Sequence, residues 1–236
     1  MKVSSHEPVT QLKRIPIVEC GEPLVDYVHL CPKLLIAKPR WRYERATLLR
    51  RDVAHRLCRA AESLPDGYRL AIVEGWRPPH IQRRMYRAAL RRWKEIHPDW
   101  SDLALRRLAN RFTAPPNIKV PPPHTTGGVF DLLLADGEGS ELDHSSPYES
   151  RDRRAYPFAA PGLTKEARSH REILREALES AGITNYPSEY WHWSYGDQGW
   201  AYRGGHLHAI YGPTAPPGYV PPPGDDTDEP LEWVGS

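Results

Sequence analysis

The segment Val129–Leu134 constrains the fold of this chain more than any other. It reads Val-Phe-Asp-Leu-Leu-Leu, an apolar run of strand length carrying one charge, and the Ala135-Asp136-Gly137 turn signal closes it. A carboxylate in such a run is costly to bury unless it is paired or ligates a metal, so Asp131 needs a partner supplied from elsewhere in the fold. Gly127-Gly128 precede the run and permit a close approach of backbone. His124 lies seven positions before Asp131.

Other elements can be placed around this strand. Leu49, Val53, Leu57 and Ala60 recur at helical spacing and stop near Pro65-Asp66-Gly67. Tyr68–Val73 reads as a buried strand ending at Glu74-Gly75-Trp76-Arg77-Pro78-Pro79. A basic helical stretch runs from His80 to Phe112, with a break near His97-Pro98-Asp99. Its Arg83, Arg84, Arg91, Arg92 and Lys94 read as a solvated face, and His80, His97 and His170 as exposed. Ala114–Pro123 carries five prolines, which excludes a central strand and delivers the chain to His124. Lys165–Ala181 reads as a second amphipathic helix with Gly182 at its C-terminal end, and Tyr190–Tyr195 as an aromatic strand. Mixed elements without βαβ alternation predict an α+β fold, a mostly antiparallel sheet flanked by helices. Residues 1–42 read as an N-terminal arm with a short strand near Val25–Leu30, 43–212 as one catalytic domain, and 213–236 as a flexible Pro/Gly/Asp-rich tail.

Composition narrows the partners. A net charge of +2 argues against nucleic acid or an anionic membrane surface. No apolar run is long enough to span a bilayer, and the N-terminus lacks the apolar core of a signal peptide, so a cytoplasmic protein is expected. Cys20, Cys31 and Cys58 have neither disulfide-framework nor thiolate-zinc spacing. Oligomeric state is unreadable.

A second chemical cluster is Glu189-Tyr190-Trp191-His192-Trp193. Two histidines and one aspartate would leave a fourth zinc position open, as catalytic sites do. Glu189 beside that position could move a proton. In a regular strand Glu189 and His192 face opposite ways, so Glu189 has to sit at a bend before the strand. Arg77, fixed by Pro78 at a strand end, could stabilise an oxyanion. The competing pair His206-x-His208 has no carboxylate at suitable spacing.

The pattern His124-x-x-Gly127-x-Val129-x-Asp131, then Glu189-x-x-His192, with Gly75-Trp76-Arg77-Pro78 upstream, resembles the D-alanyl-D-alanine dipeptidases over roughly residues 43–212. The resemblance implies a single zinc-peptidase domain with one zinc per chain, held by His124, Asp131 and His192. It implies Glu189 as general base, Arg77 as the transition-state cation, and Glu149 as the partner of the substrate's amino group. Tyr27 is set against an aromatic near the substrate. Two departures touch recognition rather than metal: Pro122 stands where a small hydroxyl residue is usual, and Glu149 where an aspartate is. The implied substrate is a small free dipeptide. The rival functions are a carboxypeptidase or endolysin acting on cell-wall peptide, and a zinc-containing binding module without the reaction.

Overall fold

A computed structural model describes residues 7–116, 120–146, 153–158 and 160–235. The chain runs α1 (Val9–Leu12), β1 (Leu24–Asp26), α2 (Tyr27–Leu30), β2 (Leu35–Ile36), β3 (Leu48–Arg50) and α3 (Arg51–Ser63). It continues with β4 (Tyr68–Glu74), α4 (Pro79–Ile96), α5 (Asp102–Ala109), β5 (Val129–Asp136) and α6 (Lys165–Ser180). It ends with β6 (Thr184–Asn185), β7 (His192–Ser194) and α7 (Gln198–Gly204). The main sheet has the order β2-β4-β5-β7-β6, antiparallel except for the β2–β4 pair, and β1 and β3 form a separate ribbon. The architecture is the expected α+β one. Among the described residues no helix is long and apolar enough to cross a membrane.

The two sheet faces have different duties. Leu70 and Ile72 of β4 and Phe130, Leu132 and Leu134 of β5 pack with Leu57 of α3 and Leu174 and Leu178 of α6. The other face carries Ala71, Val73, Leu133 and Ala135, and by alternation also Asp131. Trp193 of β7 joins the α3/α6 side, so His192 and Ser194 share the face of Asp131. Leu49 belongs to β3 rather than to the helix that its spacing suggested; α3 begins two residues later.

A β-bulge shapes the site. Ile72 pairs with Leu132, but the next partner of Asp131 is Glu74, not Val73. The extra residue turns Glu74 from the helix-covered face onto the face of Asp131, as bulges re-aim side chains. Regular pairing would bury Glu74 against Phe130 and the α3/α6 core.

The tail departs from the flexible segment expected. Leu231 is buried with Ile81 and Met85 of α4, and Trp233 meets Trp41 edge-on at 5.0 Å. The Trp76 indole donates to the Thr214 carbonyl, and Tyr219 stacks on His80. Asp225, Asp226 and Asp228 meet Arg83, Arg84 and Arg87. The part of that face carrying Arg83 and Arg84 is therefore covered, with His80 buried under it, while Arg91, Arg92 and Lys94 are exposed as expected. His170 is buried too, with its Nδ1 2.7 Å from the Asp143 carbonyl. Composition misleads here because few apolar anchors suffice when the acids of the tail complement a basic helix. The outer ion pairs are half-exposed and salt-screened. Asp226→Asn with Asp228→Asn should therefore cost less than about 1 kcal/mol at low salt. Denaturant titration in 1 M salt should abolish the difference; an effect that persists there would mean the pairs act through packing.

Candidate metal centre and cavity

The approach to His124 is a tight turn with little room for side chains. Pro122 and Pro123 lead into a 3₁₀ turn, Pro123–Thr126, which ends at Gly127 with φ +69°. A Cβ at Gly127 would lie 2.4 Å from Leu24, and one at Gly128 would lie 2.5 Å from the Tyr195 carbonyl. Gly127 is required by its positive φ, and Gly128 by the close approach of the Tyr195 carbonyl. His124 Nδ1 lies 2.9 Å from the Gly75 carbonyl. A carbonyl only accepts, so Nδ1 carries the hydrogen and Nε2 keeps its lone pair.

That lone pair faces Asp131. His124 Nε2 is 3.5 Å and His192 Nδ1 2.9 Å from Asp131 Oδ1. The ligand atoms of these three residues lie within 4.8 Å of one another, and among the described residues they form the one such group that could hold a metal ion. Tetrahedral zinc with bonds of 2.0–2.2 Å separates its ligands by about 3.3 Å, which these distances straddle. The donor set of two imidazoles and one carboxylate fits zinc and leaves a position open. Burial opposes the charge of Asp131, yet the imidazoles, His124 foremost, hold its carboxyl far below the usual carboxylate range. Burial pushes His192 down, against the pull of Asp131.

Glu189 lies in the turn before β7, as the alternation argument required. Its backbone N–H donates to Tyr186 O at 3.2 Å, and its carbonyl accepts from Asn185 Nδ2 at 3.0 Å. The carboxylate stands 3.8 Å from His192 Nδ1 and is a quarter exposed. Arg77 follows β4, with its backbone N–H on the His124 carbonyl. It stands at the strand end as expected, and it is buried and paired. Its Nε and Nη2 grip the Glu74 carboxylate, and Nη1 donates to Gln82 Oε1 at 2.7 Å. Glu74 also accepts from the Tyr43 hydroxyl. Burial would raise the Glu74 carboxyl, but the adjacent guanidinium of Arg77 holds it below its ordinary value.

Arg77, His124, Asp131, Glu189 and His192 line one cavity of about 360 Å³. Sequence reasoning missed Glu74, whose signal was a carboxylate ending a buried strand three residues before an arginine. It also missed Glu7, Val9 and Leu12, which bring the N-terminal arm into the cavity wall. Tyr27 is buried in the core against Gly75 and does not line the cavity. Glu149 lies outside the described residues. Residues 206–208 form no strand, and His206 instead stacks on Trp200 at 3.8 Å.

The sequence profile of peptidase family M15, described as D-ala-D-ala dipeptidase, matches residues 35–210. The chain belongs to the M15 peptidases. It is a metallopeptidase, and the matched stretch includes every residue of the metal group, Glu189 and Arg77. A D-alanyl-D-alanine dipeptidase from Synechocystis sp. is 26% identical over 87% of this M15 peptidase and 95% of its own length. A solved structure of the LdcB LD-carboxypeptidase is 16% identical, covers 89% of this chain and 90% of that one, and superposes with a TM-score of 0.39.

Proposed function

We propose that this M15 peptidase hydrolyses a small free dipeptide, D-Ala-D-Ala foremost, at one zinc ion held by His124, Asp131 and His192. The observation that carries the reading is the convergence of those three donors, Glu189 and Arg77 on one cavity wall. Zinc bound there would supply Lewis acidity toward the scissile carbonyl and toward a water. Glu189 takes the proton of the attacking water at its carboxylate and passes it to the leaving amine. Arg77, aimed by Glu74 and Gln82, offers N–H groups to the oxygen that gains charge. The imidazole of His124 keeps its orientation through Gly75, whose carbonyl fixes the tautomer. Glu149 is the proposed partner of the substrate's ammonium, on sequence resemblance. A cytoplasmic place of action belongs to the same reading, since a free dipeptide is a soluble metabolite-sized substrate and the Synechocystis relative bears a dipeptidase name.

The test is amine release from D,D-, L,D- and L,L-dipeptides, with and without a chelator. Cleavage of D-Ala-D-Ala that stops on chelation and returns with zinc, with acetylated and longer peptides refused, is the expected result. Cleavage of long cell-wall peptides in preference to dipeptides would replace this reading by the carboxypeptidase one. No cleavage by zinc-loaded protein would replace it by the binding module.

A further inference from the structure

The cavity contains a second charged cluster that the chemistry above does not use. Arg203, in the last turn of α7, donates through Nε and Nη2 to Thr184 Oγ1 at 3.0 and 2.8 Å, and through Nη2 to Ser194 Oγ. These two hydroxyls from neighbouring strands fix the plane of the guanidinium. Its Nη1 grips the carboxylate of Glu7, a residue of the N-terminal arm. Arg203, Glu7, Ser194 and Asp197 all line the cavity of the metal group.

The position relative to that group is defined by β7. His192 and Ser194 lie two residues apart on one strand face, roughly 6.6 Å. A dipeptide places its C-terminal carboxylate one residue beyond the scissile carbonyl, at most about 3.6 Å of extended chain. The spacing along β7 is thus of the order of one short residue plus one hydrogen bond, the reach a carboxylate needs to meet a guanidinium held against Ser194. The pair packs directly on Gly199, where a Cβ would come within 2.9 Å of both Arg203 Nη1 and Glu7 Oε2.

The occupant of the guanidinium is itself a carboxylate. A buried ion pair that served only to pin the arm would gain nothing from facing a cavity, since desolvation costs about what attraction returns. We propose that Arg203 anchors the free C-terminal carboxylate of the substrate, with Glu7 seated on that anchor in the empty cavity and yielding it on binding. Burial, aided by Asp197, pushes the Glu7 carboxyl up despite Arg203. Glu7 is therefore the partner whose charge is the easier to remove. The inference rests on the proposed function in that the substrate must end, with a free carboxylate, one residue beyond the scissile bond, as a dipeptide does.

The test compares D-Ala-D-Ala with its C-terminal amide on zinc-loaded wild type, Arg203→Met, Arg203→Lys and Glu7→Gln. Wild type should prefer the free acid by about 10–100-fold in kcat/KM, the value of a charge-assisted contact. Arg203→Met should reduce that preference to near one, mainly by raising KM for the acid; Arg203→Lys should keep part of it. Glu7→Gln should lower KM for the acid more than for the amide. A purely structural role would reduce both substrates alike. An acid preference retained by Arg203→Met overturns the anchor. If that variant does not fold, an unchanged acid KM in Glu7→Gln together with unchanged preference in Arg203→Lys overturns it. If wild type cleaves neither compound, the dipeptidase reading falls. Calorimetric binding of acid and amide to wild type and Arg203→Lys then decides the anchor separately, and equal affinities would remove it.

Discussion

Glu189→Gln should lower kcat by about 10³–10⁴-fold while the protein keeps its full zinc content. The glutamine preserves the shape of the turn, whose hydrogen bonds run through the backbone of residue 189 and through Asn185. It removes only the basic oxygen that stands 3.8 Å from His192. Because one carboxylate is asked to receive and then return a proton, its loss affects both transfers and falls at the upper end of the usual range for acid–base groups. KM should change little. His124→Ala should do the reverse in order of events: the ion is lost first, and activity with it. The alanine leaves Asp131 a single imidazole neighbour and the Gly75 carbonyl without its donor. Elemental analysis beside kinetics separates the two variants. Glu189→Gln with near wild-type turnover would remove Glu189 from proton transfer. Full zinc in His124→Ala would remove His124 from the ligand set.

What the sequence made legible in this site, and what it did not, follows from whether the information was local. Asp131 stood out because a lone charge in an apolar strand has no cheap local solution, and its partners had to be distant. His124 and His192 answered that need. The bend at Glu189 was deducible from strand alternation alone. The role of Glu74 was not, because a bulge is a property of how β4 pairs with β5 and leaves no mark on either strand read singly. The tail was misread for a similar reason. Its acids and its two apolar anchors, Leu231 and Trp233, make sense only against the arginines of α4 and the ring of Trp41. Glu7 and Arg203 are 196 positions apart, and no periodicity links them. Helices α3 and α6, whose apolar stripes are continuous and self-contained, were placed to within a few residues.

Glu74→Ala should be the most destabilising single substitution around the site. Glu74 is 4% exposed and Arg77 8%, so the alanine leaves a buried guanidinium without its carboxylate. Breaking one side of such a pair costs about 3–5 kcal/mol. For a domain of this size that corresponds to a Tm lower by roughly 6–20 °C. Activity should fall as well, since Gln82 alone cannot hold the plane of the guanidinium that Glu74 grips through two nitrogens. The double variant Glu74→Leu, Arg77→Met separates the two consequences. Replacing both charges by apolar side chains of similar volume is often neutral for stability, so much of the lost Tm should return. Turnover should not return, because the N–H groups offered to the developing oxyanion are gone. Scanning calorimetry and amine-release kinetics on the same preparations read both quantities. If the double variant recovered turnover along with Tm, Arg77 would be a structural ion-pair partner and the oxyanion would have to find its donors elsewhere in the cavity.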